Sequence, residues 1–127
     1  PRDYENGTWE VARRDTLEKE IIPDNDLLEK LEFLIKDIQQ NIYNKAAEFR
    51  KQRTYIVDTY EEFKEILKTK PGFIMAHWDG TRETEEKIKE ETKATIRLIP
   101  QNPIPEEGKC IYTGKASKFR VIFAKSY

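Results

Sequence analysis

The chain has 127 residues, 37% hydrophobic and 37% charged, with 23 basic against 24 acidic side chains and a net charge of −1. That length suits one ordinary domain, or one domain with a piece of a neighbour. The near-neutral balance excludes global steering toward nucleic acid or an anionic membrane, so any RNA contact has to be local.

Asn6-Gly7 is a hairpin-type turn pair, and Thr8 to Asp15 alternates well enough for a strand with few partners. After Pro23, the Asp26-x-x-Glu29 pattern is a helix start, with the first carboxylate placed to accept from free backbone N–H groups. The helix is expected from Asp26 to Phe49. Its apolar stripe is Leu27, Leu28, Leu31, Leu34, Ile35, Ile38, Ile42, Ala46 and Phe49, spaced by three and four, and Leu31, Ile35, Ile38 and Ile42 are expected to be buried.

Tyr55-Ile56-Val57 reads as a short strand. Thr59-x-x-Glu62 is a second capping pair, ahead of a helix carrying Tyr60, Phe63, Ile66 and Leu67. Pro71-Gly72 interrupts the chain before Phe73 to Trp78, an apolar run expected as a central strand buried on both faces. Asp79-Gly80-Thr81 makes a turn into a mostly solvated helix over Arg82 to Thr92. Thr95 to Ile99 is a strand, Pro100 to Pro105 a loop, and Lys109 to Thr113 with Lys118 to Lys125 a final antiparallel pair about Gly114. The fold class is α+β: a long N-terminal helix followed by β-α-β-α-β-β in a mixed sheet, with helices packed on one face. Ile74, Ile96, Leu98, Ile111, Val121 and Phe123 are the expected core.

Catalytic patterns are sparse. The only histidine, His77, lies within an apolar strand and is read as a core or strand-end residue rather than part of a charge relay. The five glycines are isolated, so no phosphate-cradling loop is present. The Glu83 to Glu91 carboxylates interleave with Lys87 and Lys89 as solvated helical pairs do. Arg13-Arg14 near Trp9 could contact RNA phosphates and bases, but is read first as a surface strand guarded by charge. The basic run from Lys115 to Arg120 is read as solvation. No apolar run approaches the ~20 residues that cross a bilayer. A lone cysteine, Cys110, excludes an internal disulfide, so a soluble cytoplasmic protein is expected. Because the chain opens at Pro1 rather than methionine, a longer parent is also expected.

Three ordered stretches carry a resemblance: Gly72-Phe73-Ile74-Met75-Ala76-His77-Trp78-Asp79-Gly80-Thr81, Glu90-Glu91-Thr92-Lys93-Ala94-Thr95-Ile96-Arg97-Leu98-Ile99-Pro100, and Arg120-Val121-Ile122-Phe123-Ala124-Lys125-Ser126-Tyr127. Together they resemble the C-terminal region of prolyl-tRNA synthetases of the archaeal and eukaryotic type. Upstream, Val11-Ala12-Arg13-Arg14-Asp15-Thr16 is similar to the tail of that family's anticodon-binding domain, and Gln40-Asn41-Ile42-Tyr43-Asn44-Lys45-Ala46 to its connecting helix.

The resemblance implies residues 1–22 as the tail of the anticodon-binding domain, 23–53 as the connecting helix and 54–127 as an appended domain related to a zinc-binding one. It implies a homodimeric class II ligase that attaches proline to its tRNA using ATP and Mg, with the chemistry upstream of this chain. The role expected here is to brace the catalytic and anticodon-binding domains; the alternative is an RNA-binding appendix touching tRNA through Arg13, Arg14 or the basic terminus. Zinc-binding relatives are expected to carry four cysteines in two close pairs. Those positions fall here on Asp79, Thr84, Cys110 and Thr113, so no structural zinc is expected. Tyr127 is a candidate functional terminus through its carboxylate.

Overall fold

A computed structural model describes residues 2–125 of the chain. Tyr127, the candidate functional terminus, lies outside the described residues. The structure divides into two compact units, Pro1–Phe49 and Arg50–Tyr127.

The first unit begins with a short helix, α1 (Arg2–Glu5), which ends at Gly7 in the left-handed region at φ +60°. Asn6-Gly7 therefore joins a helix to a strand instead of closing a hairpin. Strand β1 (Thr8–Ala12) is shorter than expected, and it has a full antiparallel partner in β2 (Lys19–Pro23), with Thr8 opposite Pro23 and Ala12 opposite Lys19. Burial alternates along β2, with Glu20 half-buried, Ile22 buried and their neighbours exposed, but the residue types do not, since a charged side chain faces in and Ile21 faces out. A 3-10 turn over Asp24–Asp26 then leads into α2 (Leu27–Gln52), so helical structure starts before the expected cap and runs past Phe49.

The buried face of α2 also differs from expectation. Leu34 is its only buried residue, Leu31 and Ile38 are half-buried, and Leu28, Ile35 and Ile42 stand 78%, 67% and 53% exposed. A two-stranded ribbon is too narrow to cover the whole apolar stripe, which a 3.6-residue repeat spreads over a broad arc. Charged and polar side chains tie the ribbon and its turn to the helix. Arg13 donates to both Asp15 and Asp37, Asn41 Nδ2 donates to Asp15 at 2.6 Å, and Lys30 pairs with Glu20 at 3.0 Å.

In the second unit, strand β3 (Thr54–Ile56) is followed by α3 (Tyr60–Thr69), whose N-cap Thr59 accepts from the Glu62 N–H at 3.2 Å as its sequence pattern requires. Gly72 then passes so close to the Arg53 carbonyl that no Cβ would fit, and Phe73 N–H donates to that same oxygen at 2.8 Å. Strand β4 (Phe73–His77), helix α4 (Arg82–Thr92) and strand β5 (Ala94–Leu98) follow, with Lys93 in the left-handed region closing α4.

The final strands do not form the expected hairpin. Lys109 to Thr113 is mostly a tight turn, and only β6 (Gly108–Lys109) pairs, with β7 (Ala116–Ser117), in a separate two-stranded sheet. Strand β8 (Arg120–Lys125) instead inserts between β4 and β5 in a four-stranded sheet of order β3-β4-β8-β5. The β3–β4 pair is parallel and both pairs to β8 are antiparallel, so the sheet is mixed as expected. Val121 and Phe123 alternate into the core from β8, and a central position gives both of its edges a partner.

Helices cover one face of this sheet. Ile74, Ala76, Ala94, Val121 and Phe123 form the core with Val57, Phe63, Ile88 and Ile111, and Phe63 meets Phe123 edge-to-face at 5.2 Å between ring centroids. Strand β4 is thus buried fully on one face only, because Phe73 remains 39% exposed. Leu98, expected in the core, is 51% exposed; an irregularity in the β5–β8 register between Ile96 and Leu98 places it opposite Ile122, on the uncovered side.

Candidate functional site

Of the positions that the resemblance matches to zinc cysteines, Cys110 and Thr113 lie in the turn between β6 and β7, and Asp79 and Thr84 sit where β4 ends and α4 begins, a place where a turn must satisfy free backbone N–H groups. Asp79 does this. Its Oδ1 accepts from Thr81 N–H at 3.1 Å and from Thr81 Oγ1 at 2.9 Å, while Oδ2 accepts from Thr84 Oγ1 and Thr113 Oγ1, each at 2.9 Å. Burial pushes the Asp79 carboxyl up, but hydrogen bonds from Thr81, Thr84 and Thr113 outweigh it and hold the group below its ordinary value. The Thr113 turn is closed by Gly114 N–H donating to Cys110 O and Cys110 N–H to Lys115 O, with Gly114 at φ +71°.

Three of the four matched positions are therefore joined through one carboxylate, with buried Cys110 in the adjoining turn. Hydroxyl oxygens are poor partners for zinc, which favours thiolate and imidazole. Among the described residues, no group of three or more His, Cys, Asp or Glu side chains is placed to hold a metal.

On the same strand, His77 is 2% exposed. Its Nδ1 lies 3.1 Å from Ser117 Oγ, which donates its own proton to Phe119 O at 3.0 Å, so Nδ1 is the donor in the first pair. Nε2 is buried with no hydrogen-bond partner among the described residues, and Glu106 Oε1 stands 3.7 Å away. Glu106 is committed to Arg120, whose guanidinium also donates to Val57 O at 2.7 Å and Asp58 at 2.6 Å. The Arg120 hydrogen bond is the main reason the Glu106 carboxyl sits below its usual range. A serine, a histidine and a carboxylate converge, yet the serine is buried and its proton is spent on a carbonyl, so this is an internal clamp and not a nucleophile.

A third cluster links Glu91 to the hydroxyls of Tyr60 and Tyr112, both at 2.8 Å, and stacks those rings edge-on at 5.1 Å. Glu91 is held low by Tyr112 and then Tyr60. None of these partners could be paired from spacing alone, because each bond spans many positions. The only sequence signal was their polar character beside a core.

In the first unit the candidate RNA residues part company. Arg13 is mostly enclosed and engaged by Asp15 and Asp37, which raise its pKa; Arg14 is exposed. Trp9, 52% exposed, donates from Nε1 to Asp24 at 2.7 Å.

Residues 60–127 match the family model described as the C-terminal domain of prolyl-tRNA synthetase. Over 99% of its length the chain is 56% identical to the proline–tRNA ligase of Cytophaga hutchinsonii, and over its whole length 50% identical to that of Flavobacterium johnsoniae. The enzyme of the same name from Porphyromonas gingivalis is 56% identical over 99% of the chain. The chain thus belongs to the prolyl-tRNA synthetase family, as a sequence carrying its C-terminal domain. It spans about a quarter of the length of these relatives, 26%, 26% and 25% respectively. All three relatives are bacterial.

Proposed function

We propose that this chain is the C-terminal portion of a proline–tRNA ligase and serves that enzyme as a docking and bracing element without chemistry of its own. The parent would attach proline to its tRNA using ATP and Mg, as a homodimer, with every catalytic group upstream. In this reading residues 1–22 end the anticodon-binding domain, 23–53 connect, and 54–127 form the appended domain, with the Asp79 network in place of zinc. The motif resemblance supports a parent of the archaeal and eukaryotic type.

The observation that carries the proposal is the outer face of α2. Leu28, Ile35 and Ile42 recur every seven residues and are all more than half exposed. A helix bearing such a stripe buries it against something. The sequestration of Arg13 removes one of the charges on which the RNA-binding reading relied.

The test is Ile42→Lys, made both in the 127-residue chain and in the full-length ligase. The isolated chain should keep its melting temperature, while the ligase loses stability and charging activity. Equal behaviour of the two proteins, or salt-dependent tRNA binding by the isolated chain, would overturn the bracing role.

A further inference from the structure

The helix-free face of the four-stranded sheet has a pattern of its own. Ile56 lies opposite Met75, Met75 opposite Ile122, and Ile122 opposite Leu98, so one unbroken apolar row crosses all four strands. Cross-strand partners share a face, and this row alternates with the core residues Ile74, Val121 and Phe123. Its ends are open, with Ile56 66% and Leu98 51% exposed, and its centre is only half-buried. At His77 the face is closed by the β6–β7 ribbon, with Gly108 against the imidazole and Ser117 hydrogen-bonded to it. Toward the other end it runs through Phe73 and Ala124 into a cleft of about 780 Å³ whose lining includes Lys68, Lys70 and Lys125, and no acidic residue among those described. That is a local departure from a chain whose charges are otherwise balanced.

Building on the bracing role, we propose that this face is the docking surface for the upstream part of the same ligase polypeptide, and that the segment seated on it is an apolar surface flanked by carboxylates. Three observations select that occupant. A contiguous aliphatic row at a sheet centre is what an interface core requires. The basic cleft at its border calls for acidic groups on the partner, which fix register more than they add affinity. The relatives of the chain carry about three times its length in addition, which is ample for the proposed ligase polypeptide to supply the segment seated here. RNA fits less well, since sheet faces that bind unpaired bases stack them on aromatic rings; this row is Ile, Met, Ile and Leu, with Phe73 alone beyond it.

The test uses Ile56→Cys and Leu98→Cys as reporters, because native Cys110 is buried. Thiol labelling resolved by mass is compared between the 127-residue chain and the full-length ligase. Labelling at both positions should be roughly tenfold or more slower in the ligase, as for any side chain that reacts only on local opening. Adding Lys68→Glu with Lys125→Glu should restore part of the rate, with less effect at high salt.

Equal rates in the two proteins would overturn the proposal. So would concentration-dependent protection in the isolated chain, which identifies a second copy as the occupant. A third overturning result is protection that appears only on adding tRNA and is lost with the lysine reversals, which assigns the face to RNA. The α2 variant Ile42→Lys lies in the other unit, so failure of the bracing role there and failure of this face are read separately.

Discussion

Thr113 donates a hydrogen bond at 2.9 Å to the carboxylate of Asp79, 34 positions earlier, and so ties the Gly114 turn to the start of α4. Replacing Asp79 by Ala removes the acceptor shared by three threonines. Hydrogen bonds to a charged group contribute about 1.5–3 kcal/mol, and Asp79→Ala is expected to cost that order of stability in chemical denaturation. Because the folded pKa lies below the ordinary carboxyl value near 3.9, this stabilisation is present at neutral pH. It is lost as pH falls through about 4 toward the folded pKa. Asp79→Asn should flatten that acid limb of the stability curve.

Gly108 lies flat against the His77 imidazole, where a Cβ would overlap Nε2. The ring is locked by Ser117 on its other nitrogen and has little room to retreat. Gly108→Ala should therefore cost about 1–3 kcal/mol, as overpacking does. In a double-mutant cycle with His77→Ala, most of that penalty should vanish. A penalty that persists would mean the strain lies in the backbone and not against the ring.

Leu34 and Ile42 separate the two sides of α2. Leu34→Ala should destabilise the chain by about 2–5 kcal/mol, the usual range for a buried leucine. Ile42→Ala, at a position 53% exposed, should shift stability by under about 0.5 kcal/mol. Thermal melts of the two variants check the assignment of the buried face directly.

Metal analysis of protein purified without chelator is expected to find far less than one zinc per chain, and EDTA to leave the melting temperature unchanged. A structural zinc supplies on the order of 10–16 kcal/mol of apparent binding free energy in small peptides. Loss of such a metal would be unmistakable.

Local chemistry made much of the second unit legible. Thr59 with Glu62, the Pro71-Gly72 break, the apolar run at Phe73 and the single apolar Ile88 of α4 each depend on neighbours within a few residues. The β1–β2 ribbon was missed because β2 places charged and apolar side chains without clear alternation. The final strands were misread because Lys109 to Thr113 and Lys118 to Lys125 are adjacent in sequence, and adjacency favours a hairpin.

By itself, then, the sequence determined the α+β class, the three longer helices, the strands β3, β4 and β5, and the family resemblance, which expects cysteines where Asp79, Thr84 and Thr113 stand. Tertiary structure decided which apolar residues are covered. Periodicity shows that Ile35, Ile42, Ile56 and Leu98 lie on apolar faces, but burial depends on whether another surface reaches them. It also decided the polar pairings. Asp79 with Thr113, His77 with Ser117 and Arg120 with Asp58 are separated by 34, 40 and 62 positions, and only the inserted position of β8 and the turns around it bring such groups within hydrogen-bond reach.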